Sequence, residues 1–194
     1  SNDNKVLYDF FQTGTYDKNR EFVLTTSPSM DILISSNLER LIYLICGEDS
    51  EKTKELMEEL KTTGKYTITP EMKEKLADFA AGYSTEEETA ESIHDTYQKT
   101  GYVMDTHTAV AAHVCGQYRA KSGDQTKCVI ASTASPYKFV KSVMSAIDAE
   151  NANADEFNLL PKLQEVSGVP MPQAIKDIPV SYTHLRAHET CADL

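Results

Sequence analysis

The segment whose residues point most clearly to ligand binding is an apolar run that ends in hydroxyl side chains. Cys128–Ser132 (CVIAS) is apolar up to its last residue, which predicts a strand buried on both faces of a parallel sheet. A short turn containing Thr133 follows, and Ser135-Pro136 then predicts the N-cap and first-turn proline of a helix. Ligands of open α/β sheets bind at the carboxyl ends of strands, beside helix N-termini. Thr133 therefore occupies a predicted binding position, with a local capping role for its hydroxyl as the alternative.

A pair of histidines near the C-terminus has the spacing of a metal-binding helix. His184 and His188 are four residues apart, as in helical zinc motifs. However, the stretch Val180–Thr190 reads as a translated transposase sequencing adapter. We therefore expect the native sequence to stop near Pro179, residues 180–194 to be a non-native tail, and the chain to hold no metal site.

Helices must position most of these side chains, and their start and stop signals are readable. Thr85 and Glu88 form a capping-box pattern, and Thr69-Pro70 places a capping residue before a first-turn proline. The predicted helices begin near Ser36-Asn37, Ser50, Thr69-Pro70, Thr85 and Thr106, and three of them end at Gly47, Gly64 and Gly101. The helix after Ser135-Pro136 has one apolar side, formed by Phe139, Val140, Val143, Met144 and Ile147.

Composition excludes several classes of protein. The net charge of -11 over 194 residues argues against binding to nucleic acid or to anionic lipid. No apolar run reaches the roughly 20 residues that a membrane span needs, and no secretory signal is visible after Ser1. The four cysteines show no C-x-x-C spacing, which favours a reducing cytoplasm over a disulfide scaffold; they are Cys46, Cys115, Cys128 and Cys191.

Three segments, in order and at plausible spacing, resemble threonine synthase of the class found in bacteria and fungi. The first is Thr25–Leu33 (TTSPSMDIL), which continues through Ser35–Arg40 (SSNLER). The second is Thr100–Ala111 (TGYVMDTHTAVA), and the third is Ala131–Phe139 (ASTASPYKF). The resemblance covers roughly residues 1–179 and corresponds to the last part of a longer enzyme.

The resemblance implies a fold, a reaction and a cofactor. It implies an α/β chain, the C-terminal part of a tryptophan-synthase-type (fold type II) enzyme, mostly helical with a few parallel strands. The family uses pyridoxal 5'-phosphate to convert O-phosphohomoserine, a small-molecule substrate, to threonine and phosphate. The cofactor is the electron sink, so the protein's task is orientation and electronic tuning. In this family the motif's threonine, here Thr133, faces the pyridine nitrogen of the cofactor.

Two departures from the family pattern limit what can be carried over. Other members often have His where this chain has Ser135, so no role is assigned to that side chain. The family's Schiff-base lysine and its Gly-rich phosphate loop lie upstream of the matching segments, and no lysine here fits the lysine motif. We therefore expect no catalytic residue in this chain and no activity from the chain alone.

Four polar residues of the first and third motifs are candidates for the substrate side. The resemblance implies that Asp31, Asn37 and Arg40 can face the phosphate or carboxylate of the substrate. The alternative is that Asn37 caps a helix and that Arg40 is a surface charge. Lys138 lies in the first turn of its helix, where the dipole disfavours a cation. An anion contact or an ion pair is one interpretation of this position, and a solvated lysine is the favoured one.

The second motif places an acid and an imidazole at the start of a helix. Asp105 and His107 can act in general acid–base chemistry, and a structural role for the histidine is the alternative. Two other functions remain open at this point. One is a threonine-synthase-like phospho-lyase acting on a related substrate, and the other is a non-catalytic domain derived from the fold. The sequence does not predict an oligomeric state.

Overall fold

A computed structural model of the chain describes residues 1–178. The chain is mostly helical, which confirms the expected fold class. The α-helices are α1 Val6–Thr13, α2 Leu38–Ile45, α3 Ser50–Thr63, α4 Pro70–Glu74, α5 Glu86–Thr100, α6 Thr106–Ser122, α7 Val140–Ile147 and α8 Glu156–Ser167, and residues 173–178 are also helical. Short 3-10 turns occur at Pro28–Met30, Pro136–Phe139 and Ala149–Asn153. The predicted tail, with His184, His188 and Cys191, lies outside the described residues.

The sheet of the described chain is a pair of three-residue strands. β1 (Thr15–Asp17) pairs antiparallel with β2 (Lys65–Thr67), so that Tyr16 lies opposite Tyr66. The two tyrosine rings stack with 5.5 Å between their centroids, and both side chains are buried. Burial raises the pKa of both phenols, because the charged phenolate loses its hydration. The two tyrosines thus belong to the same apolar core as the buried side chains of α1, α2 and α3.

The predicted strand at Cys128–Ser132 is wrong for the described chain. Residues 123–133 have no regular secondary structure, and the Val129 side chain is 89% exposed. The physical reason is that a strand needs the backbone N–H and C=O groups of a neighbouring strand. No other segment among the described residues supplies these groups, so the predicted parallel pairing is absent as well.

Helix caps follow the sequence closely, with one correction. The Asp49 carboxylate accepts from the backbone N–H groups at the start of α3, and Thr69 caps α4 in the same way. Asn37 does hold the N-cap position of α2, but its side chain makes no capping hydrogen bond. Its backbone is already helical (φ -70°, ψ -26°), whereas a capping side chain normally requires an extended backbone.

The chain divides into two units, which the sequence did not predict. One unit comprises Ser1–Thr89 with Val110–Ile130, and the other comprises Ala90–Ala109 with the residues from Ala131 onward. The first holds the core around Phe10, Tyr16 and Ile42. In the second, buried side chains of α7 and α8 form the apolar interior; they are Val140, Val143, Met144, Leu159 and Leu163.

Candidate functional site

The candidate site is centred on the loop of residues 131–135, between α6 and α7 in the chain. Thr133 is exposed, and within the described chain no residue hydrogen-bonds to its hydroxyl. It is not enclosed by apolar side chains, and it does not cap the following helix. Ser135 takes that capping role instead, since its hydroxyl accepts from the backbone N–H of Tyr137 at 3.4 Å. The Thr133 hydroxyl is therefore available to a ligand.

A chain of hydrogen bonds anchors the residue before Thr133 to the start of α6. The Ser132 and Thr108 hydroxyl oxygens are 2.9 Å apart, and Thr108 in turn donates to Asp105. A carboxylate only accepts, so the single Thr108 proton is used in that bond, and Ser132 must donate to Thr108. The direction of both bonds follows from Asp105 alone. The loop is thus held at one point, next to an unengaged hydroxyl.

Asp105 is the buried end of this chain, with 1% of its surface exposed. Its Oδ1 atom accepts from the backbone N–H of His107 at 2.9 Å and of Thr108 at 3.2 Å. These are the free N–H groups of the first turn of α6, where a negative charge is also favoured by the helix dipole. Asp105 is therefore the N-cap of α6, and its carboxylate is fully hydrogen-bonded.

His107 connects α6 with the turn that follows the loop. Its ring packs on Phe139, with 4.8 Å between the centroids, and only 11% of its side chain is exposed. The Nδ1 atom lies 3.4 Å from Asp105 Oδ1 and 3.4 Å from Thr106 Oγ1. The structure thus gives the imidazole a packed position, in which it helps to hold the turn at Phe139 beside α6.

Lys138 is an exposed residue of the same turn. Its ammonium nitrogen lies 5.9 Å from the centre of the Phe139 ring. No carboxylate of the described residues pairs with it. An ion pair within the described chain is therefore not found, and the exposed side chain agrees with the favoured interpretation of a solvated lysine that remains available to an anionic ligand.

Asp31 lies in the other unit and is already committed to a buried polar network. One oxygen accepts from Asn2 at 2.7 Å, from Asn4 at 3.1 Å and from the Thr25 hydroxyl at 2.7 Å. The second oxygen accepts from the Thr25 backbone N–H at 2.9 Å. Asn2 and Asn4 are both almost fully buried. A ligand would have to displace these donors to reach the carboxylate, so the geometry gives Asp31 a structural role.

Arg40 lines an open groove of about 870 Å³ between α2 and α3. Lys54 and Lys61 lie along the same groove, together with the acidic Glu39 and Glu58. Arg40 is exposed and has no ion-pair partner within residues 1–178. Asn37 is also exposed but is not part of the groove lining. The three candidates of the first motif, Asp31, Asn37 and Arg40, thus do not converge on one point.

Comparison with known proteins decides the family. A family model described as threonine synthase, C-terminal, matches residues 108–187. The chain is 34% identical to threonine synthase of Saccharomyces cerevisiae over 177 residues, and 38% identical to human threonine synthase-like 1 over 176 residues. These matches cover 84% and 85% of the chain. The chain belongs to the threonine synthase family.

Solved threonine synthase structures agree with this assignment. The yeast enzyme matches with a TM-score of 0.76 over 92% of the chain, at 29% identity. The PLP-bound threonine synthase from Brucella melitensis matches with a TM-score of 0.69 over 75% of the chain, at 39% identity. The chain spans about a third of these proteins, 36% and 31%, and 23% of human threonine synthase-like 1.

Two groups of residues in this threonine synthase family chain were not predicted from its sequence. Thr108 and Ser132 anchor the loop. The sequence does carry a signal for Thr108, because Asp105 lies three residues before it, which is the spacing between a helix N-cap and its N–H partner. Asn2 and Asn4 donate hydrogen bonds in the network around Asp31. This network could not be predicted from a single sequence, because Asn2 and Asn4 lie about 25 residues before the side chains to which they donate.

Proposed function

We propose that this chain supplies the C-terminal part of a pyridoxal-phosphate-dependent lyase that converts O-phosphohomoserine and water to threonine and phosphate. The observation that carries the proposal is the likeness to the PLP-bound Brucella melitensis threonine synthase, at 39% identity. The chain covers only 31% of that protein. The reaction is therefore proposed for the whole protein of which this sequence forms a part.

The residues of the loop fit the expected cofactor. Thr133 carries a neutral hydroxyl that is exposed and unengaged within the described chain, and it can donate to or accept from a ring nitrogen. The bonded pair Ser132–Thr108 limits the motion of the loop next to it. When bound, pyridoxal phosphate supplies an electron sink for carbanions formed from the substrate. We propose that Thr133 helps to hold and tune its pyridine nitrogen.

Two cations are proposed for the substrate side. Arg40 and Lys138 have no carboxylate partner among residues 1–178, and both cations suit the phosphate or carboxylate of O-phosphohomoserine. Asn37 remains a candidate because its amide is not used in capping α2. Asp31 is the weakest candidate, since its oxygens already accept hydrogen bonds and a carboxylate repels an anionic substrate.

A phospho-lyase acting on a related phosphorylated amino acid is the second candidate function. It is favoured by the 38% identity to human threonine synthase-like 1, which is similar to the identities with threonine synthases. A non-catalytic domain derived from the fold is the third. Both share the fold, so the chemistry of the whole protein must separate them.

The test is to express the complete open reading frame and to follow phosphate release from O-phosphohomoserine, with threonine measured by chromatography. We expect equal amounts of phosphate and threonine. Phosphate release with a different product supports the second candidate, and a cofactor-free protein with no release supports the third. The 194-residue chain alone should release no phosphate. One hydroxyl at Thr133 contributes about 0.5–1.5 kcal/mol, far too little to retain the cofactor.

We also propose where the threonine synthase part of the chain ends and in which cellular compartment the protein lies. Residues 1–179 are proposed as the threonine synthase part and 180–194 as a non-native tail, although the family match reaches residue 187. Resequencing the gene from an independent library is the test, because adapter sequence would be absent from it.

Cys46, Cys115 and Cys128 are free thiols, which supports the cytoplasm as the proposed compartment. Among the described residues, no helix is both long and apolar enough to cross a bilayer.

A further inference from the structure

Two cysteine thiols meet at the C-terminal half of α6. The Sγ atoms of Cys115, on α6, and Cys128, on the segment after it, are 3.1 Å apart. Cys115 is half-buried and Cys128 is exposed. Their contact is independent of the loop at Thr133 and of the proposed reaction. It places two oxidisable groups within about 1 Å of the separation of a covalent disulfide.

We infer that Cys115 and Cys128 are a redox-modification site that closes to an intramolecular disulfide by exchange with a low-molecular-weight disulfide. In the first step the Cys128 thiolate attacks one sulfur of oxidised glutathione, and one glutathione thiolate leaves. In the second step the Cys115 thiolate attacks Cys128 Sγ, and the second glutathione thiolate leaves. The protein loses two protons and two electrons, and oxidised glutathione is reduced to two molecules of glutathione.

The environment of the two sulfurs assigns the order of the steps. Cys128 is exposed and can reach a bulky reagent, whereas Cys115 is partly shielded. Donation of the Cys115 S–H to Cys128, together with burial, raises the pKa of the Cys115 thiol, although the nearby Arg119 guanidinium opposes this. Cys115 is thus the slower first nucleophile and the resolving one.

Closure would tie the chain at Cys128 to α6. Cys128 stands five residues before Thr133, so the disulfide would shorten the free connection that leads to the candidate loop. Cys46 of the same chain is the control thiol. Its Sγ atom lies 4.0 Å from the Met72 sulfur, a thioether that cannot form a disulfide.

The test uses the full chain, treated with oxidised glutathione, quenched in acid, alkylated and digested with trypsin. Cleavage after Lys99, Arg119, Lys127 and Lys138 places each cysteine on its own peptide, residues 100–119 and 128–138. We expect these two peptides to be joined. We also expect the Cys115 thiol to be lost about tenfold faster than the Cys46 thiol, which is shielded to a similar extent, because contact with Cys128 makes the step of Cys115 intramolecular.

Two variants separate the steps. Cys115→Ser should leave Cys128 as a stable mixed disulfide with glutathione, and Cys128→Ser should leave Cys115 largely unmodified. In concentrated urea the joined peptide should form about tenfold more slowly, since the sulfurs are no longer held together. The inference is overturned if wild-type protein stops at the mixed disulfide, if Cys46 reacts as fast, or if urea changes nothing. None of these outcomes depends on lyase activity.

Discussion

The Thr133 hydroxyl can be tested by a substitution that keeps the shape of the side chain. In the complete protein, Thr133→Val should lower kcat about tenfold, or about 1.4 kcal/mol, because one hydrogen bond to the cofactor ring is lost. Pyridoxal phosphate should stay bound, since one hydroxyl contributes little to its affinity. The measurements are phosphate release and the absorbance of retained cofactor after dialysis. Thr133→Ser is the matched control and should keep most of the activity, and unchanged turnover in Thr133→Val would remove Thr133 from the site.

Thr108 is the residue on which the loop anchor depends. Thr108→Val removes the proton donated to the buried Asp105 carboxylate and the acceptor used by Ser132. We expect a loss of about 1–3 kcal/mol in the free energy of unfolding, because a buried charged acceptor loses a partner. Urea unfolding followed by circular dichroism measures it. Thr108→Ser keeps the hydroxyl and should lose clearly less; equal losses for the two variants would mean that packing of the methyl group, not the hydrogen bond, matters.

At the scale of elements, the start of α5 should make stability depend on pH. The Thr85 backbone N–H donates to the Glu88 carboxylate and lowers the pKa of that carboxyl, with a smaller contribution from His113. A lowered pKa in the folded state means that the stabilisation is present above pH 4.5 and is lost as the pH falls through the folded value.

Glu88→Gln should therefore cost about 0.5 kcal/mol near pH 7, a small value because a third of the Glu88 side chain is exposed. The difference from wild type should shrink as the pH falls below 4.5 and should vanish once the pH lies below the lowered pKa of Glu88 in the folded protein. Urea unfolding at the two pH values checks this. Glu87→Gln is the matched control, because Glu87 is an exposed acid of the same turn. If both variants behaved alike, net charge and not the capping box would explain the effect.

The elements that the sequence predicts well are those whose signals are local. Thr69-Pro70 and the Thr85–Glu88 pair start helices as expected, because a cap and its N–H partners lie within three residues. Cys128–Ser132 is the opposite case, since its strand depends on partners distant in sequence, and none pairs with it in the described chain. The site divides in the same way. The position of Thr133 in a loop before a helix could be predicted, but its anchoring through Ser132 to Thr108, 24 residues earlier, could not.

At the scale of the whole molecule, the chain spans about a third of the threonine synthases that it matches, and it exposes apolar side chains in both units. The exposed large apolar residues include Phe22, Leu24, Ile34, Leu44, Phe79, Val129, Phe157 and Val169. Such surface favours association between copies of the chain. The segment at Val129 adds a second factor, because its backbone is not paired in a sheet within the described residues and can act as a template for another strand.

The isolated chain should therefore aggregate, and the segment at Val129-Ile130 should contribute more than its area alone. Replacing both residues by Thr keeps the β-branched shape while adding hydroxyls, and we expect clearly lower light scattering on warming, with an unchanged far-ultraviolet spectrum. Val169→Thr is the matched control, because Val169 is also an exposed valine, 54% against 89% for Val129, but lies outside this segment. If Val169→Thr reduced scattering as much as the double variant, exposed apolar area would suffice as the cause. If neither did, association would proceed through another surface, and the unpaired segment would have no special part in it.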